Sequence, residues 1–486
     1  MNVSAVKNKT LLGAFLALFA FANLGPLSAF AAERPNIVFF VLDDFGWGDA
    51  SYTPNHVHEV PTPNIDALTE RGMRFSNAYT QPHCSPSRAA IQTGRHPARG
   101  SINITSWISD PPQGGNRVQE WEGLDLPEYV VYLPFDEPTA GERFKELGYK
   151  TVHVGKWHLG DMREGYGPPD RGYDVLIGSR GAASPNTYIA PFGIPTLRDA
   201  PDGASLPQVL TERTIEFIEQ ARKDDQPFFI SFEHFSVHTP LEALEETIEM
   251  YRDEDRTERE ITYHAMIHEL DQSVGTLLEY FDEHNLFEDT LFVFYSEDGG
   301  VEAWADNGGL RGGKKSLWEG GVRVPAAFIW EGRIEPGTTS DVPIIDIDLL
   351  PTAFEAAGAP LPDNKPFDGV SILPVLEQRG ETDRDAIIFH HPRVTFSGTW
   401  MGARGTQVPA SAIRMGNHKL YYFYQDDLDM WLYDLEQDPG EQNDIAANHP
   451  DVADRMKRRM FEYLVEIDAA LPEPNNVSRY LQEWRE

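Results

Sequence analysis

The chain is poor in cysteine, with a single thiol at Cys84 among 486 residues. One cysteine cannot form an intrachain disulfide, so noncovalent packing alone must hold the fold. Basic residues are also scarce, since 41 Lys and Arg against 77 Asp and Glu give a formal net charge of −36. A surface that acidic disfavours nucleic acid and anionic membrane as partners, because both are polyanions gripped by Lys and Arg. Beyond the first 22 residues no stretch is both long and free of charge, so no membrane anchor is expected. Internal repeats are absent. What remains is a chain with 41% hydrophobic residues, including 10 Trp, 18 Tyr and 27 Phe, enough large apolar side chains to offset chain entropy and exclude global disorder.

The N-terminus carries Lys7 and Lys9, an apolar run from Leu11 to Ala22, the turn formers Gly25 and Pro26, and small residues at Ala29, Ala31 and Ala32. That pattern predicts a secretory signal peptide over residues 1–31, with export to the periplasm or beyond. Its apolar run is shorter than the roughly 20 residues that span a bilayer. Removing residues 1–31 takes away two lysines and no acid, so the net charge of −36 becomes −38. Such a globule repels anions at long range, and acting on one requires a local basic pocket or salt that screens beyond ~10 Å.

Pro35–Leu42, Thr151–Val154, Pro227–Phe232 and Thr290–Tyr295 are short apolar runs rich in β-branched and aromatic residues, as expected of strands buried on both faces. Helical patterns alternate with them, at 211–223 and 263–284. This predicts an α/β fold with a mostly parallel central sheet flanked by helices over residues 33–369. From residue 370 the pattern changes. Ser411–Phe423 reads as a hairpin turning at Gly416-Asn417, Trp431–Tyr433 as a further strand and Pro450–Leu471 as an amphipathic helix, predicting a smaller C-terminal α+β subdomain with a short antiparallel sheet over 370–486. The charged run 241–260 reads as a solvated helix or loop. In parallel sheets ligands bind beyond the carboxyl ends of the strands, so the polar residues that follow these strands are expected to converge.

The segment Cys84-Ser85-Pro86-Ser87-Arg88, continuing to Thr93-Gly94-Arg95, resembles the signature of the type I, formylglycine-dependent sulfatases, arylsulfatase-like members of the alkaline phosphatase superfamily. The resemblance implies that a separate maturation enzyme oxidises Cys84 to formylglycine, whose hydrated form attacks sulfur. A sulfate monoester is a poor, negatively charged electrophile, so its hydrolysis needs an activated oxygen, a cation against the sulfate oxygens and an acid for the leaving alcohol. A geminal diol adds a second hydroxyl whose deprotonation expels sulfate, a route serine lacks.

The resemblance assigns further positions one by one. Asp43 and Asp44 match the family's first pair of metal ligands, and hard oxygen donors suit calcium better than magnesium, which demands a tighter octahedron. Glu297 and Asp298 stand where the family usually has Asp and Asn or His, a departure that adds formal charge. Cys84 completes the implied ligand set. Within Gly155-Lys156-Trp157-His158-Leu159-Gly160, Lys156 is implied to contact sulfate and His158 to take a proton from the formylglycine hydroxyl; alternation on an extended segment would put both on one side. His238 and Lys314 are implied to bind the bridging and terminal oxygens and to supply the leaving-group proton, the acid being either one. Arg88 is expected to orient the diol rather than hold sulfate.

Substrate identity lies outside these motifs. Trp107–Phe135 is a candidate substrate loop in which Trp121, Tyr129 or Tyr132 could stack on a sugar, and His390-His391-Pro392-Arg393 with the stretch to Arg404 is a second candidate. Export and acidity favour a sulfated polysaccharide or oligosaccharide, with aryl sulfates as further substrates. Two alternatives are a phosphate-ester or phosphonate hydrolase of the same superfamily and a non-catalytic binder of sulfated glycans.

Overall fold

The computed structural model describes residues 34–54, 56, 60–108, 120–121, 123–179, 181–396, 406–425 and 430–474. The expected signal peptide, and Arg404 in the second candidate substrate stretch, lie outside them. The central sheet is built from β1 (Asn36–Leu42), β2 (Met73–Phe75), β3 (Lys150–Gly155), β4 (Val175–Ile177), β5 (Phe228–Glu233), β6 (Thr290–Ser296), β7 (Ala326–Ile329) and β8 (Thr338–Ser340), in the order β8-β2-β7-β6-β1-β5-β3-β4. All pairings are parallel except those of β7, which runs antiparallel to β2 and β6. The α/β class and the mostly parallel sheet expected from the sequence are what the chain forms.

β1 sits at the centre and is buried on both faces, which is why it reads as an unbroken apolar run. Val38, Phe40 and Leu42 pack with Ile230, Phe232, Phe292 and Phe294 on one side, while Ile37, Phe39 and Val41 pack with Phe229, Leu291 and Val293 on the other. Two helices cover the first face. α2 (Leu206–Lys223) begins five residues before the predicted start, with Pro207 in its first turn, and α3 (Glu258–Glu283) begins at a Thr257–Glu260 capping box inside what reads as a solvated charged run. The rest of that run holds a short helix, Glu245–Met250.

Register fixes what the strands present at their ends. Val41 pairs with Glu233 and Leu42 with Ser296, and the ladder continues one residue further, with Glu297 N donating to Leu42 O at 2.9 Å and His234 N to Val41 O at 2.8 Å. The polar residues after β1, β5 and β6 therefore emerge side by side. β3 ends at Gly155, whose φ of +86° and a would-be Cβ only 2.1 Å from Glu233 O require glycine. This close approach lets Lys156 N donate to Glu233 O at 2.8 Å.

The C-terminal part forms an antiparallel sheet of β9 (Ile387–His391), β10 (Ala410–Met415), β11 (His418–Phe423) and β12 (Trp431–Asp434), with the β10–β11 turn at Gly416-Asn417 as expected. α4 (Pro450–Glu466) covers one face through Met456, Met460 and Leu464 against Ile388, Ile413, Leu420 and Leu432. The other face packs Phe389, Ala412, Tyr421 and Phe423 on Tyr79, Leu317 and Trp318.

Candidate active site

Cys84 is the first residue of α1 (Cys84–Thr93), a fully buried helix absent from the sequence reading, which starts beyond the carboxyl ends of the strands. Its Sγ lies 3.5 Å from Asp298 Oδ2. Asp43 and Asp44 follow β1, and Glu297 and Asp298 follow β6; all four are buried. Asp44 N donates to Asp298 Oδ1 at 3.1 Å, tying the two pairs together. Asp44 takes a left-handed φ of +61°, a conformation that Asp tolerates better than most residues and that turns the chain abruptly at the strand end.

Three cations are threaded through these carboxylates. Lys156 Nζ is 2.7 Å from Asp43 Oδ2 and 3.3 Å from Glu297 Oε1. Arg88 Nη1 donates to Glu233 Oε2 at 2.9 Å and to Lys156 O at 2.8 Å. Its Nε is 2.5 Å from Glu297 Oε2, in ion-pair contact but off the hydrogen-bond line. Lys314 Nζ binds Asp44 Oδ1 and lies 3.3 Å from Asp298 Oδ2. Asp43, Asp44, Glu233, Glu297 and Asp298 thus face Arg88, Lys156 and Lys314, five acids against three bases, a formal excess of two negative charges.

The electrostatics follow from this layout. Burial would raise the Asp44 carboxyl, but Lys314, His238 and Lys156 override it and hold the group well below its ordinary range. Burial pushes Asp298 and Glu297 up instead, and neighbouring carboxylates add to it, Asp44 beside Asp298 and Asp43 beside Glu297, against the pull of Lys314 on the one and of Arg88 and Lys156 on the other. Burial also drives the Cys84 thiol well above its ordinary value, so the unmodified sulfur is a neutral thiol rather than a thiolate nucleophile. His238 is lowered to about 3 by burial and then by Lys314, leaving a neutral imidazole. Its Nδ1 faces Thr239 O at 2.8 Å, which fixes the proton on Nδ1 and leaves the Nε2 lone pair directed toward Asp44 Oδ2, 4.0 Å away.

A cleft of 1330 Å³ opens above this cluster. Cys84, Asp44, His238 and Lys314 form its floor, and Trp107, Trp121, Tyr129 and Trp304 are among its walls. Of the residues expected to act together, these four therefore meet at the cleft. Lys156, expected at the sulfate, instead has no exposed surface and does not line the cleft, because its ammonium is held between Asp43 and Glu297. Arg88 is likewise buried behind the carboxylates. β3 stops at Gly155, so strand alternation does not extend to His158, which takes a φ of +56°. His158 Nε2 donates to Ile108 O at 2.6 Å, and its Nδ1 is buried with no hydrogen-bond partner.

The substrate-loop candidates divide. Trp121 and Tyr129 line the cleft, whereas Tyr132 stacks on Tyr166 at 4.3 Å and is absent from the lining. Arg393 lies over the Tyr129 ring at 4.6 Å, and Val394 and Thr395 form part of the wall. His390 is buried against Ala470 O, and His391 stacks on His83. Sequence reasoning missed Glu233, Trp304, His83 and Lys315. Glu233 had a signal, its place directly after a buried strand; the other three flank Cys84, Lys314 and the Glu297–Asp298 pair but match no motif.

The segment that carries Lys314 is braced from the C-terminal sheet. Lys419 Nζ binds Glu319 Oε1 at 2.8 Å and Tyr79 Oη donates to Glu319 Oε2 at 2.8 Å, all in full burial. Gly299 abuts this segment so closely that a Cβ would lie 2.0 Å from Gly320 O, locking the loop after Asp298 to it.

Comparison with known proteins places this geometry. Residues 35–359 match the family model described as sulfatase, and residues 312–466 the C-terminal model of N-sulphoglucosamine sulphohydrolase. The chain is 31% identical over 415 residues to the N-acetylgalactosamine-6-sulfatase of Canis lupus familiaris, covering 80% of this chain and 74% of that protein. It is 30% identical over 504 residues to human arylsulfatase A, covering 92% and 91%. The crystal structure of Ps i-CgsB in complex with k-i-k-neocarrahexaose superposes with a TM-score of 0.71 at 27% identity, covering 89% of this chain and 93% of that one.

Proposed function

The chain belongs to the sulfatase family, as a type I sulfatase of the alkaline phosphatase superfamily that hydrolyses sulfate esters, and we propose that it is an exported, calcium-dependent enzyme that desulfates a sulfated oligosaccharide or polysaccharide through a formylglycine at position 84. The observation that carries this reading is the position of Cys84, at the floor of a large aromatic-walled cleft and 3.5 Å from a buried carboxylate. A maturation enzyme acting on the unfolded chain is part of the proposal, since the thiol at the base of the folded cleft is only 1% exposed, open to a small ligand but out of reach of another enzyme's active site.

The donor set fits a divalent cation. One ligand atom from each of Asp43, Cys84, Glu297 and Asp298 lies within 4.8 Å of the others, and the same holds for Asp43, Asp44, Cys84 and His238. Asp43 Oδ1 and Glu297 Oε2 are buried with no hydrogen-bond partner, and an ion of charge +2 would cancel the cluster's two excess negative charges. Asp43, Asp44, Glu297 and Asp298 would hold it, with the oxygen that replaces sulfur at position 84 close by, and all-oxygen donors suit calcium. When present, calcium supplies positive charge against the sulfate oxygens, and hydrated formylglycine supplies an oxygen nucleophile with a second hydroxyl.

The chain's own residues do the rest. Arg88 and Lys156 hold the carboxylates in place from behind. His158, with its Nε2 proton spent on Ile108 O, keeps the Nδ1 lone pair to take a proton from position 84. Lys314 offers a fixed ammonium at the cleft floor. His238 is the group proposed to protonate the leaving alcohol: it lines the cleft, its Nε2 lone pair takes up a solvent proton when the anionic ester enters beside it, and that proton passes to the departing oxygen, while the Lys314 ammonium stays engaged by Asp44 and Asp298.

The cleft exceeds the 300–1,000 Å³ usual for a small-molecule site. Trp107, Trp121, Tyr129 and Trp304 offer stacking faces for sugar rings. The relative solved with a bound neocarrahexaose supports an oligosaccharide. The signal-like N-terminus and the net charge of −36 support export to a saline setting. The test is sulfate release from sulfated galactan and glycosaminoglycan oligosaccharides by protein produced with a formylglycine-generating enzyme, in calcium. Sulfate release with no hydrolysis of the matched phosphate ester supports the reading; preferential phosphate release would replace it with the phosphoesterase alternative.

A further inference from the structure

The residue after Lys314 lines the same cleft. Consecutive side chains of extended backbone point to opposite sides, so Lys314 and Lys315 would not ordinarily share a cavity. Here Lys315 takes a φ of +76°, which a residue with a Cβ adopts at a cost, and its N–H is anchored on Pro82 O at 3.0 Å. The result is that both lysines face the cleft. Their situations differ. Lys314 is buried and bound to Asp44 and Asp298, whereas Lys315 is half-buried, and among the described residues no carboxylate or other side-chain partner engages its ammonium. The carboxylates of the lining are Asp44, held by Lys314, and Glu302, which has a partner of its own.

A neighbouring side chain also carries a polar atom without a partner. His83 borders the cleft beside Cys84, its Nε2 lies 3.3 Å from Thr395 Oγ1, and its Nδ1 is buried with no partner. Thr395 also lines the cleft. On a protein with 77 acids against 41 bases, an unpaired cation held in a strained conformation inside the substrate cleft points to a ligand charge.

We propose that Lys315 binds a second anionic group of the substrate, so that the enzyme selects carbohydrates carrying another sulfate or a carboxylate next to the sulfate it removes. His83 and Thr395 form the adjoining wall. The proposal rests on the sulfatase reading of the cleft.

The experiment compares three matched disaccharide substrates. One carries the scissile sulfate only, one adds a sulfate on the neighbouring ring, and one adds a uronate carboxylate there. Wild-type turnover of the first tests the sulfatase reading alone; if no substrate is hydrolysed, that reading fails before Lys315 is questioned. Lys315→Gln is expected to raise KM for a doubly charged substrate about tenfold more than for the singly charged one, with Lys315→Arg restoring most of the difference. Which doubly charged substrate responds identifies sulfate or carboxylate. An equal change on all three substrates, or none on any, overturns the proposal, and thermal melting of both variants separates misfolding from a binding defect.

Discussion

Replacing Arg88 by methionine removes a charge from the middle of the carboxylate cluster while keeping most of the volume. Arg88 has no exposed surface, and its partners Glu233, Glu297 and Asp43 are at most 1% exposed. The variant leaves Glu233 without the cation 2.9 Å away and Glu297 without the one 2.5 Å away. Breaking a buried pair by deleting one partner costs about 3–5 kcal/mol, because the surviving charge stays desolvated. The cluster's excess rises from two negative charges to three, so a bound divalent cation should stabilise the variant more than the wild type, for which binding at a hundred times Kd adds about 2.7 kcal/mol. Urea unfolding with and without calcium reads both effects. Adding Glu233→Gln to Arg88→Met should return about 1 kcal/mol or more, since one stranded charge disappears. A loss below about 1 kcal/mol for Arg88→Met in chelator, or a double variant no better than the single one, would refute the buried-cluster argument.

Loss of His238 should depend on the leaving group. His238→Ala is expected to slow hydrolysis of a sugar sulfate by about 10²–10⁴ while affecting nitrophenyl sulfate far less, because nitrophenolate leaves without a proton; equal losses on both would move the acid role to Lys314. Glu297→Ala should raise the calcium concentration needed for activity and weaken calcium-dependent thermal stabilisation, and unchanged calcium titrations by both readouts would remove Glu297 from the metal shell. Lys419→Met, far from any substrate, should destabilise by about 3–5 kcal/mol by leaving Glu319 only the more distant Arg323, 3.7 Å away, measured by urea unfolding; a neutral effect would show that the brace adds no stability.

The central sheet was legible because its strands are buried on both faces, which writes them as continuous apolar runs closed by acids. The hairpin at Gly416-Asn417 was legible from its turn. Helix starts were not: α2 and α3 begin earlier than their apolar periodicity because Pro207 and the Thr257–Glu260 capping box extend them into polar sequence. β7 and α1 escaped because short or small-residue segments gain their burial only from tertiary packing. At the site, the family resemblance and strand-end logic named the carboxylates, Cys84, Arg88, His238 and Lys314, which the fold brings together, but not that Lys156 and Arg88 lie beneath the carboxylates rather than in the cleft. That depth is set by the register of β1, β5 and β6 and by Gly155, which no local pattern encodes. Lys315 and His83 match no motif, and the cleft alone brings them to notice.

The chemistry of residue 84 tests the central claim most directly. Mass spectrometry of the tryptic peptide Phe75–Arg88, from protein produced alongside a formylglycine-generating enzyme and assayed for sulfate release, is predicted to show the aldehyde or its hydrate in the active fraction. A peptide with an intact thiol in protein that still releases sulfate at full rate would contradict the account.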